Sequence, residues 1–487
     1  MLFNSYIFVF LFLPIAVGGY FILNHRRWYK IACIFLVLMS LWFYGYFNPK
    51  YLMLMIVSIL TNWILSRAII CVRENIILKK ILLWIALFID IGLIFYFKYY
   101  NFFVGNINQI FRTNFSLINV ILPLGISFFT FQQISFVVDS YHGETDKYVF
   151  WEYALFITYF PQLIAGPIVL HDEFIPQLDD ESKRKFCWDN CVRGIYSFVC
   201  GMAKKVWIAD TLGIVADYGF KNYGNLNSTS ILLAIFAYTM QIYFDFSGYS
   251  DMAIGIGKMF NIELPINFNS PYKANNVVEF WKRWHITLTR FLRKYVYFPL
   301  GGSKKGTARK YLNIMVVFLV SGIWHGANWT FICWGLIHGI ANVAVRMFEN
   351  RIKKIPNVVM WILNFGFINM TWMLFKADSI TSAVDMTKGI FTGKLGIIDN
   401  YMAQNMVPLE LRTIFMILDF NPSDIMWMIL VICICLVLIF IVTFKRNVQE
   451  NVGDFHATLK SAIAVSIMFW ICIISFSTVS TFLYFNF

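Results

Sequence analysis

Long apolar runs with few charges place the strongest constraint on what this chain can fold into. A helix of about 20 apolar residues crosses the hydrocarbon layer of a bilayer, which is ~30 Å thick. Runs of suitable length lie near residues 6–23, 31–47, 50–65, 81–97, 117–139, 150–170, 191–210, 229–260, 311–345, 357–376, 426–444 and 461–484. The sequence therefore predicts an all-α polytopic membrane protein with about 11 to 13 transmembrane or re-entrant helices.

The composition leaves too little polar surface for a water-soluble protein. Of the 487 residues, 59% are hydrophobic and 14% are charged, and the mean hydropathy is +0.64. Lys and Arg outnumber Asp and Glu by 40 to 27, and the cations cluster in loops between the apolar runs. Such loops are typical of a cytoplasmic face beside anionic lipid. We expect the lipid bilayer as a partner and no nucleic acid.

The ends of the first apolar run indicate a retained helix and its orientation. Run 6–23 follows no basic segment and precedes no small-residue cleavage site, so we expect it to remain as the first transmembrane helix. The basic segment 25–30 then predicts a cytoplasmic loop and an external N-terminus. The nine Cys residues form no CxxC pair, and we predict neither disulfides nor a metal site.

Several segments depart from the simple spanning pattern. Pro and Gly interrupt the apolar sequence at 122–125 and 160–167, which predicts half helices or re-entrant segments. Segment 271–310 carries ten cationic residues against one acid, Glu279, and predicts an amphipathic helix on the inner membrane face. The less apolar stretch 377–424 predicts an extracytoplasmic or interfacial excursion.

His325 is the first candidate for chemistry. It lies near the middle of run 311–345, which contains no Lys, Arg, Asp or Glu, and His338 follows thirteen residues later. Ionisable side chains at such depth are costly and tend to mark function. A desolvated, neutral imidazole can accept a proton from a hydroxyl, as a general base does. The alternative is a histidine that joins two helices by a hydrogen bond.

His285 is the second candidate, and it follows Trp284 within the basic segment 271–310. Its neighbours indicate a position at the cytoplasmic boundary. The alternative is a solvated polar residue, with Trp281 and Trp284 acting as interfacial anchors.

Carboxylates also occur in apolar surroundings. Asp245 and Asp251 lie within run 229–260, with Gln241 one turn before Asp245, and Asp90 lies within run 81–97. Because unpaired carboxylates do not stay in hydrocarbon, they predict a polar lining to a buried chamber. A proton relay in a transporter and structural pairing with a cation from a neighbouring helix are the alternatives.

The two histidine segments together resemble one family, the membrane-bound O-acyltransferases. The resemblance rests on residues 280–302 followed by 321–339, a Trp-His element ahead of a second histidine within an apolar run. Segments 123–132, 160–167 and 245–251 are similar to the branch that contains the alginate O-acetyltransferase membrane subunit. Segment 298–302 is more similar to that acetyltransferase branch than to the sister branch of teichoic acid D-alanyl transfer.

The resemblance implies a fold and a site. The family fold is a ring of tilted helices around a central tunnel. It implies one domain over 1–487, with N-terminal helices in 1–110, the family core in 111–350 and further helices in 351–487. His325 corresponds to the catalytic histidine, and His285 to a residue that orients this base or donates a hydrogen bond to the oxyanion. The expected substrate-binding residues are Gln241, Asp245, Asp251, Lys282, Arg283, Trp324 and Asn328.

The resemblance also implies the reaction. We expect an acyl group, acetyl above all, to pass from acetyl-CoA or a carrier-borne thioester to hydroxyls of an exported polysaccharide, without a bound cofactor. The expected location is a bacterial inner or plasma membrane, and the expected partner is a separate secreted or membrane-anchored acyltransferase. D-Alanyl transfer to teichoic acid, a transporter or flippase, and an assembly subunit without chemistry are the alternatives.

Overall fold

The computed structural model describes residues 1–478, 482 and 483, and this part of the chain contains helices and no strands. The helices of the first half are α1 (Leu13–His25), α2 (Tyr29–Gly45), α3 (Pro49–Cys71), α4 (Ile76–Ile94), α5 (Tyr100–Phe111), α6 (Ile126–His142), α7 (Phe150–Thr158), α8 (Phe160–Leu163), α9 (His171–Asp179), α10 (Trp188–Ala203), α11 (Asp210–Asn222) and α12 (Ser228–Met259).

The second half continues the helical pattern with shorter elements. Its helices are α13 (Val277–Arg283), α14 (Ile286–Leu292), α15 (Thr307–His325), α16 (Trp329–Met347), α17 (Glu349–Ile352), α18 (Asn357–Lys376), α19 (Ile380–Thr392), α20 (Asn400–Met406), α21 (Leu409–Ile417), α22 (Asp424–Phe444), α23 (Val448–Gly453) and α24 (Leu459–Ile474). Short π and 3₁₀ segments join or extend several of them, among them Phe8–Phe12 before α1 and Arg293–Tyr297 after α14.

Six helices in the described part of the chain are long and apolar enough to cross a membrane. They are Phe8–His25, Pro49–Cys71, Ser228–Met259, Trp329–Met347, Asn357–Lys376 and Asp424–Phe444. Tyr29–Gly45 and Leu459–Ile474 are shorter apolar helices. The prediction of an all-α polytopic membrane protein is therefore confirmed. Run 461–484 extends partly beyond the described residues.

Three predicted elements differ from the structure. Run 117–139 is not one span, because α6 begins only at Ile126, after a Gly125 with a φ of 70°. Run 311–345 is a hairpin of α15 and α16, and His325 ends the first helix instead of lying in mid-span. Segment 271–310 is not one amphipathic helix, since α13 and α14 are separated at residues 284–285 and followed by turns.

Other features follow the sequence pattern. Helices are interrupted at both Pro and Gly segments, and α7 ends at Thr158 just before the short α8. Stretch 377–424 contains the short helices α19, α20 and α21 in place of a span. Side chains cap the start of several helices. At α3 the Asn48 side chain accepts from the backbone N–H of Lys50. Pro49, the first residue of α3, has no backbone N–H that would need a partner.

The chain divides into two compact units. The first comprises Met1–Val199, Ser250–Ile266 and Phe455–Ala462, and the second comprises Cys200–Tyr249, Asn267–Asp454 and Ile463–Phe487. In the first unit, α6 packs against α3 and α4. In the second unit, α15 packs closely along α16. The single domain over 1–487 remains a prediction.

Glycines set the close approach of α15 and α16. A methyl group at Gly335 would lie 2.5 Å from the carbonyl oxygen of Phe318, and one at Gly322 would overlap the carbonyl oxygen of Phe331. Small residues at such crossings let two helix backbones touch, a common arrangement in membrane proteins. The hairpin is thereby held so that the end of α15 lies beside α16, where Trp334 faces His325.

Candidate active site

His325 lies in an aromatic enclosure in the second unit. His325 is the last residue of α15, directly after Trp324, and it is 3% exposed. The centroid of its ring is 4.9 Å from that of Trp324, 5.2 Å from that of Trp334 and 5.0 Å from that of Phe375. The enclosure separates the imidazole from bulk water.

His285 is completely buried, so the alternative of a solvated polar residue between interfacial anchors is wrong. It lies between α13 and α14 with a left-handed backbone, φ 44° and ψ 52°, and is 0% exposed. Such a backbone costs on the order of 1 kcal/mol for a residue other than Gly. Because the surrounding residues hold His285 in this unfavourable backbone conformation, its ring has a defined position.

Asn267 fixes the proton on the His285 ring. Nδ1 of His285 is 3.0 Å from Oδ1 of Asn267, and the Thr287 hydroxyl donates to the same oxygen at 2.9 Å. Since Oδ1 accepts, Nδ1–H is the donor. Nε2 is then the ring nitrogen with a lone pair, and it has no hydrogen-bond partner among the described residues. Burial lowers the pKa of His285 to about 3, so the ring is neutral.

Trp324 is a neighbour of both predicted histidines. The centroid of its indole ring is 6.1 Å from that of His285 and 4.9 Å from that of His325. Phe246 of α12 packs on His285 from an edge-on direction, with the centroids 4.8 Å apart. The structure therefore brings His285 and His325 into one aromatic cluster, as the resemblance implied.

His338 belongs to the same unit but is bonded on both sides. The Trp281 indole N–H donates to Nδ1 of His338 at 3.2 Å. The proton of His338 is consequently on Nε2, which lies 3.0 Å from the Thr371 hydroxyl. That hydroxyl donates onward to the carbonyl oxygen of Ile368. His338 was noted in the sequence without a site role, and here it joins α13, α16 and α18.

A basic cavity of about 480 Å³ lies beside this cluster. Trp281 and Phe318 form part of its wall, and Ser321 lines it one helical turn before His325. Its cationic lining residues are Lys282, Arg293, Lys310 and Arg346, and no lining residue is acidic. An open cavity of this charge suits a ligand with phosphate groups. Lys282 and Arg283 were both predicted to bind substrate, and of these two residues Lys282 lines the cavity.

Arg283 and Asn328 have structural partners. Arg283 forms an ion pair with Glu279 at 2.9 Å and donates to the Asn269 carbonyl oxygen. Asn328 caps α16 by accepting from the backbone N–H of Thr330, and its amide also donates to the carbonyl oxygen of Asp378. Substrate contacts by these two residues remain a prediction.

The carboxylate of Asp245 is paired with Lys205, as one sequence alternative proposed. The Lys205 ammonium lies 2.6 Å from Asp245 and 2.8 Å from Asp210. The backbone N–H of Leu483 donates to the other oxygen of Asp245 at 3.0 Å. One ammonium bonded to two carboxylates offsets much of the cost of burying these charges. The sequence analysis missed Lys205, since it lies forty residues before Asp245.

Gln241 and Asp251 are buried in different units. Gln241, in the second unit, is 7% exposed, and its Oε1 has no hydrogen-bond partner among the described residues. Asp251 belongs to the first unit and is 5% exposed. The carbonyl oxygen of Asp251 accepts a hydrogen bond from the Ser197 hydroxyl. Their contribution to a substrate chamber remains a prediction.

The described residues combine helices long and apolar enough to span a membrane, two buried histidines in one aromatic cluster and a basic cavity, an arrangement that suits a membrane-embedded enzyme. The model of the membrane-bound O-acyltransferase family matches residues 144–384. The peptidoglycan O-acetyltransferase of Helicobacter pylori is 39% identical over 100% of this chain and 98% of its own length. The chain belongs to the membrane-bound O-acyltransferase family and is an acyltransferase of a bacterial membrane.

Further relatives place the chain within that family. The probable alginate O-acetylase of Pseudomonas aeruginosa is 35% identical over 85% of this chain and 79% of its own length. The teichoic acid D-alanyltransferase of Bacillus subtilis is 26% identical over 53% of this chain and 69% of its own length. The predicted likeness to the alginate branch is confirmed. The transporter and assembly-subunit alternatives lose their support, since the family consists of acyltransferases.

Proposed function

We propose that this chain transfers an acetyl group from a cytoplasmic thioester towards a hydroxyl of an exported glycan. The observation that carries the proposal is the placement of His325 and His285 in one buried aromatic cluster, with a basic cavity that reaches within a helical turn of His325. Acetyl rather than D-alanyl transfer is preferred because the relatives with higher identity and coverage are O-acetyltransferases.

The basic cavity would hold the donor. Acetyl-CoA and a phosphopantetheine carrier both present phosphate groups attached to a thioester, and Arg and Lys side chains bind phosphate by charge-assisted hydrogen bonds. Lys282, Lys310 and Arg346 line the cavity from α13, α15 and α16. The Asn342 side chain accepts from Nε of Arg346 at 2.8 Å, which fixes the direction of that guanidinium.

His325 would act as the general base. It removes the proton of the acceptor hydroxyl, the oxygen forms a bond to the acyl carbon, and the carbon–sulfur bond breaks. The proton on the imidazole then passes to the departing thiolate. Charge and atoms balance without a metal or a redox cofactor. A neutral ring in an enclosure closed to bulk water suits this base.

His285 would serve as a hydrogen-bond acceptor in the same site. The sequence analysis offered it as a possible donor to the oxyanion, but the bond from Nδ1 to Asn267 leaves only the Nε2 lone pair available. A neutral imidazole in this tautomer can receive the acceptor hydroxyl or its proton. Its role is therefore to position the hydroxyl, or to share the work of the base.

The relatives suggest the acceptor and a partner. A relative that matches this chain over its full length is a peptidoglycan O-acetyltransferase, so peptidoglycan hydroxyls are the first acceptor to test. Alginate-type polysaccharides follow, as the probable alginate O-acetylases cover most of the chain. A separate extracytoplasmic acyltransferase that completes the transfer remains part of the proposal from family resemblance.

A reconstituted labelling assay tests the proposal. Proteoliposomes that contain the full chain receive acetyl-CoA labelled in the acetyl group, and label on acceptor glycan is counted with and without the extracytoplasmic acyltransferase. His325→Gln should lower the rate by at least about 10²-fold, the range of a lost general base. The matched control is His456→Gln, which removes an exposed histidine. Equal rates for wild type and His325→Gln, at equal protein in the membrane, would contradict the assignment.

A further inference from the structure

A second cluster of chemically active side chains lies in the first unit, outside the site described above. It comprises Asp139 near the end of α6, Glu144 just after that helix, and His171 at the start of α9. One potential ligand atom from each residue lies within 4.8 Å of the other two. We propose that Asp139, Glu144 and His171 bind a divalent transition-metal ion.

The spacing of the two buried ligands fits a shared ion. Nε2 of His171 lies 3.0 Å from Oδ2 of Asp139. Metal–ligand bonds of about 2.1 Å place adjacent ligand atoms ~3 to 3.5 Å apart in octahedral or tetrahedral geometry. The two side chains are therefore spaced as adjacent ligands of one ion, and the Glu144 carboxylate lies close enough to complete the set.

The loop that carries Glu144 is held in place by its own bonds. Gly143 has a φ of 82°, a left-handed turn that closes α6, and the backbone N–H of Glu144 donates to the carbonyl oxygen of Asp139 at 3.0 Å. The Thr145 hydroxyl lies 2.6 Å from that of Ser140. The Arg67 guanidinium donates to the carbonyl oxygen of Thr145 at 2.9 Å. The separation of the Asp139 and Glu144 backbones is consequently set before any ion binds.

The second nitrogen of His171 has the outer partner that metal-binding histidines usually have. Nδ1 of His171 lies 3.4 Å from the hydroxyl of Tyr148, and that tyrosine is 6% exposed. A proton on Nδ1 donates to this hydroxyl and leaves the lone pair of Nε2 directed at the Asp139 carboxylate. Two acceptor atoms then lie 3.0 Å apart, and a cation that both of them bind as adjacent ligands offsets their repulsion. In the alternative tautomer the proton is on Nε2, which then donates to Asp139 and has no lone pair for a metal ion. The two tautomers therefore predict different metal binding.

The ligand set selects a class of ion. One imidazole nitrogen and two carboxylate oxygens suit Zn²⁺ or Mn²⁺, while Ca²⁺ and Mg²⁺ prefer oxygen alone. Asp139 and His171 are each 1% exposed, whereas Glu144 is open to solvent. Such a site takes up its ion through the Glu144 side and keeps positions for water. The sequence analysis predicted no metal site, because cysteine spacing was its guide and these ligands lie on separate elements.

Metal binding by the intact protein tests this inference without reference to acyl transfer. The full chain, purified in detergent with a histidine-free tag, is stripped with EDTA and titrated with Zn²⁺ and with Mn²⁺ against a fluorescent chelator. Thermal unfolding is followed by tryptophan fluorescence. Glu144→Gln removes one ligand from an exposed position, and Glu74→Gln removes the same charge from an exposed position elsewhere in the first unit.

The inference predicts one ion per wild-type chain and a higher unfolding temperature when the ion is bound. Glu144→Gln should raise the dissociation constant at least about tenfold and lose most of the thermal shift, while Glu74→Gln behaves as wild type. Failure of wild type to bind one equivalent, or equal binding by Glu144→Gln, would overturn it. Acyl transfer with no bound metal would leave the proposed function intact.

Discussion

Two buried histidines of the second unit, His285 and His338, differ in how their rings are bonded. Both are 0% exposed. His338 uses both nitrogens, one facing Trp281 and the other facing Thr371. His285 uses only Nδ1, towards Asn267, and its Nε2 lacks a partner among the described residues.

The difference teaches how to tell a structural histidine from a chemical one. Burial alone does not separate them, since the exposure of the two rings is the same. A buried polar atom without a partner costs about 1–3 kcal/mol. A fold keeps such an atom most readily where a substrate supplies the missing bond. We therefore propose that His338 positions helices and that His285 contacts the reacting groups.

The largest effect is expected on the acetyl transfer rate when His285 is replaced. His285→Gln retains a polar side chain of similar length but removes the imidazole lone pair at Nε2. The acetyl transfer rate should fall by about 10² or more, while the unfolding temperature changes little. The transfer rate is measured with labelled acetyl-CoA, and the unfolding temperature is measured by tryptophan fluorescence on the same preparation. A variant that keeps more than half of the wild-type rate would remove His285 from the chemistry.

The opposite pattern is expected for His338. His338→Gln leaves the Trp281 N–H or the Thr371 hydroxyl poorly bonded, so unfolding should become easier by about 1–3 kcal/mol. The transfer rate per folded molecule should fall by less than about tenfold, since no bond to the reacting groups is lost. Denaturation and turnover are compared at equal folded protein. Complete loss of turnover in a stable, folded His338→Gln would mean that the comparison is mistaken.

A change of the His285 partner should alter the pH profile. Burial lowers the pKa of His285 to about 3, so in wild type this ring is neutral across neutral and mildly acidic pH. Asn267→Asp places a carboxylate against Nδ1, which favours the imidazolium and raises the pKa of His285. Activity should then be lost at a higher pH than in wild type as the pH falls. The measurement is transfer rate against pH, with His456→Gln as the control that keeps the wild-type profile.

The smallest effect concerns the outer bond of His338. Thr371→Val removes the hydroxyl that Nε2 of His338 faces, at a cost of about 1–3 kcal/mol in unfolding free energy. Thr371→Ser, which restores the hydroxyl, should recover most of this loss. The transfer rate should remain close to that of wild type in both. Equal stability of the Val and Ser variants would show that the bond contributes nothing.

Hydropathy predicted the spanning helices well where lipid contact dominates. Run 357–376 corresponds to Asn357–Lys376 and run 426–444 to Asp424–Phe444. The turn between α15 and α16 was missed, because residues 326–328 carry no charge or proline that would interrupt the apolar run. Asn328, which caps α16, was a usable signal for that turn.

The site was predicted in its histidines but not in their partners. His325 stands out in the sequence because ionisable side chains are rare in apolar surroundings, and His285 because it belongs to the Trp-His element that resembles the family. Asn267 lies eighteen residues before His285, and Lys205 forty before Asp245. These contacts arise from tertiary folding, and no periodic pattern connects the residues. The tautomer of His285, on which its role depends, follows only from the geometry.

Chemical rescue at position 325 tests the central claim most directly. His325→Gly removes the imidazole, and free imidazole is then added to proteoliposomes that carry labelled acetyl-CoA and acceptor glycan. If His325 is the general base, the variant transfers acetyl at least about 10²-fold more slowly than wild type. Added imidazole should restore part of the rate in the variant and leave wild type unchanged. Transfer by His325→Gly at the wild-type rate without imidazole would contradict the account.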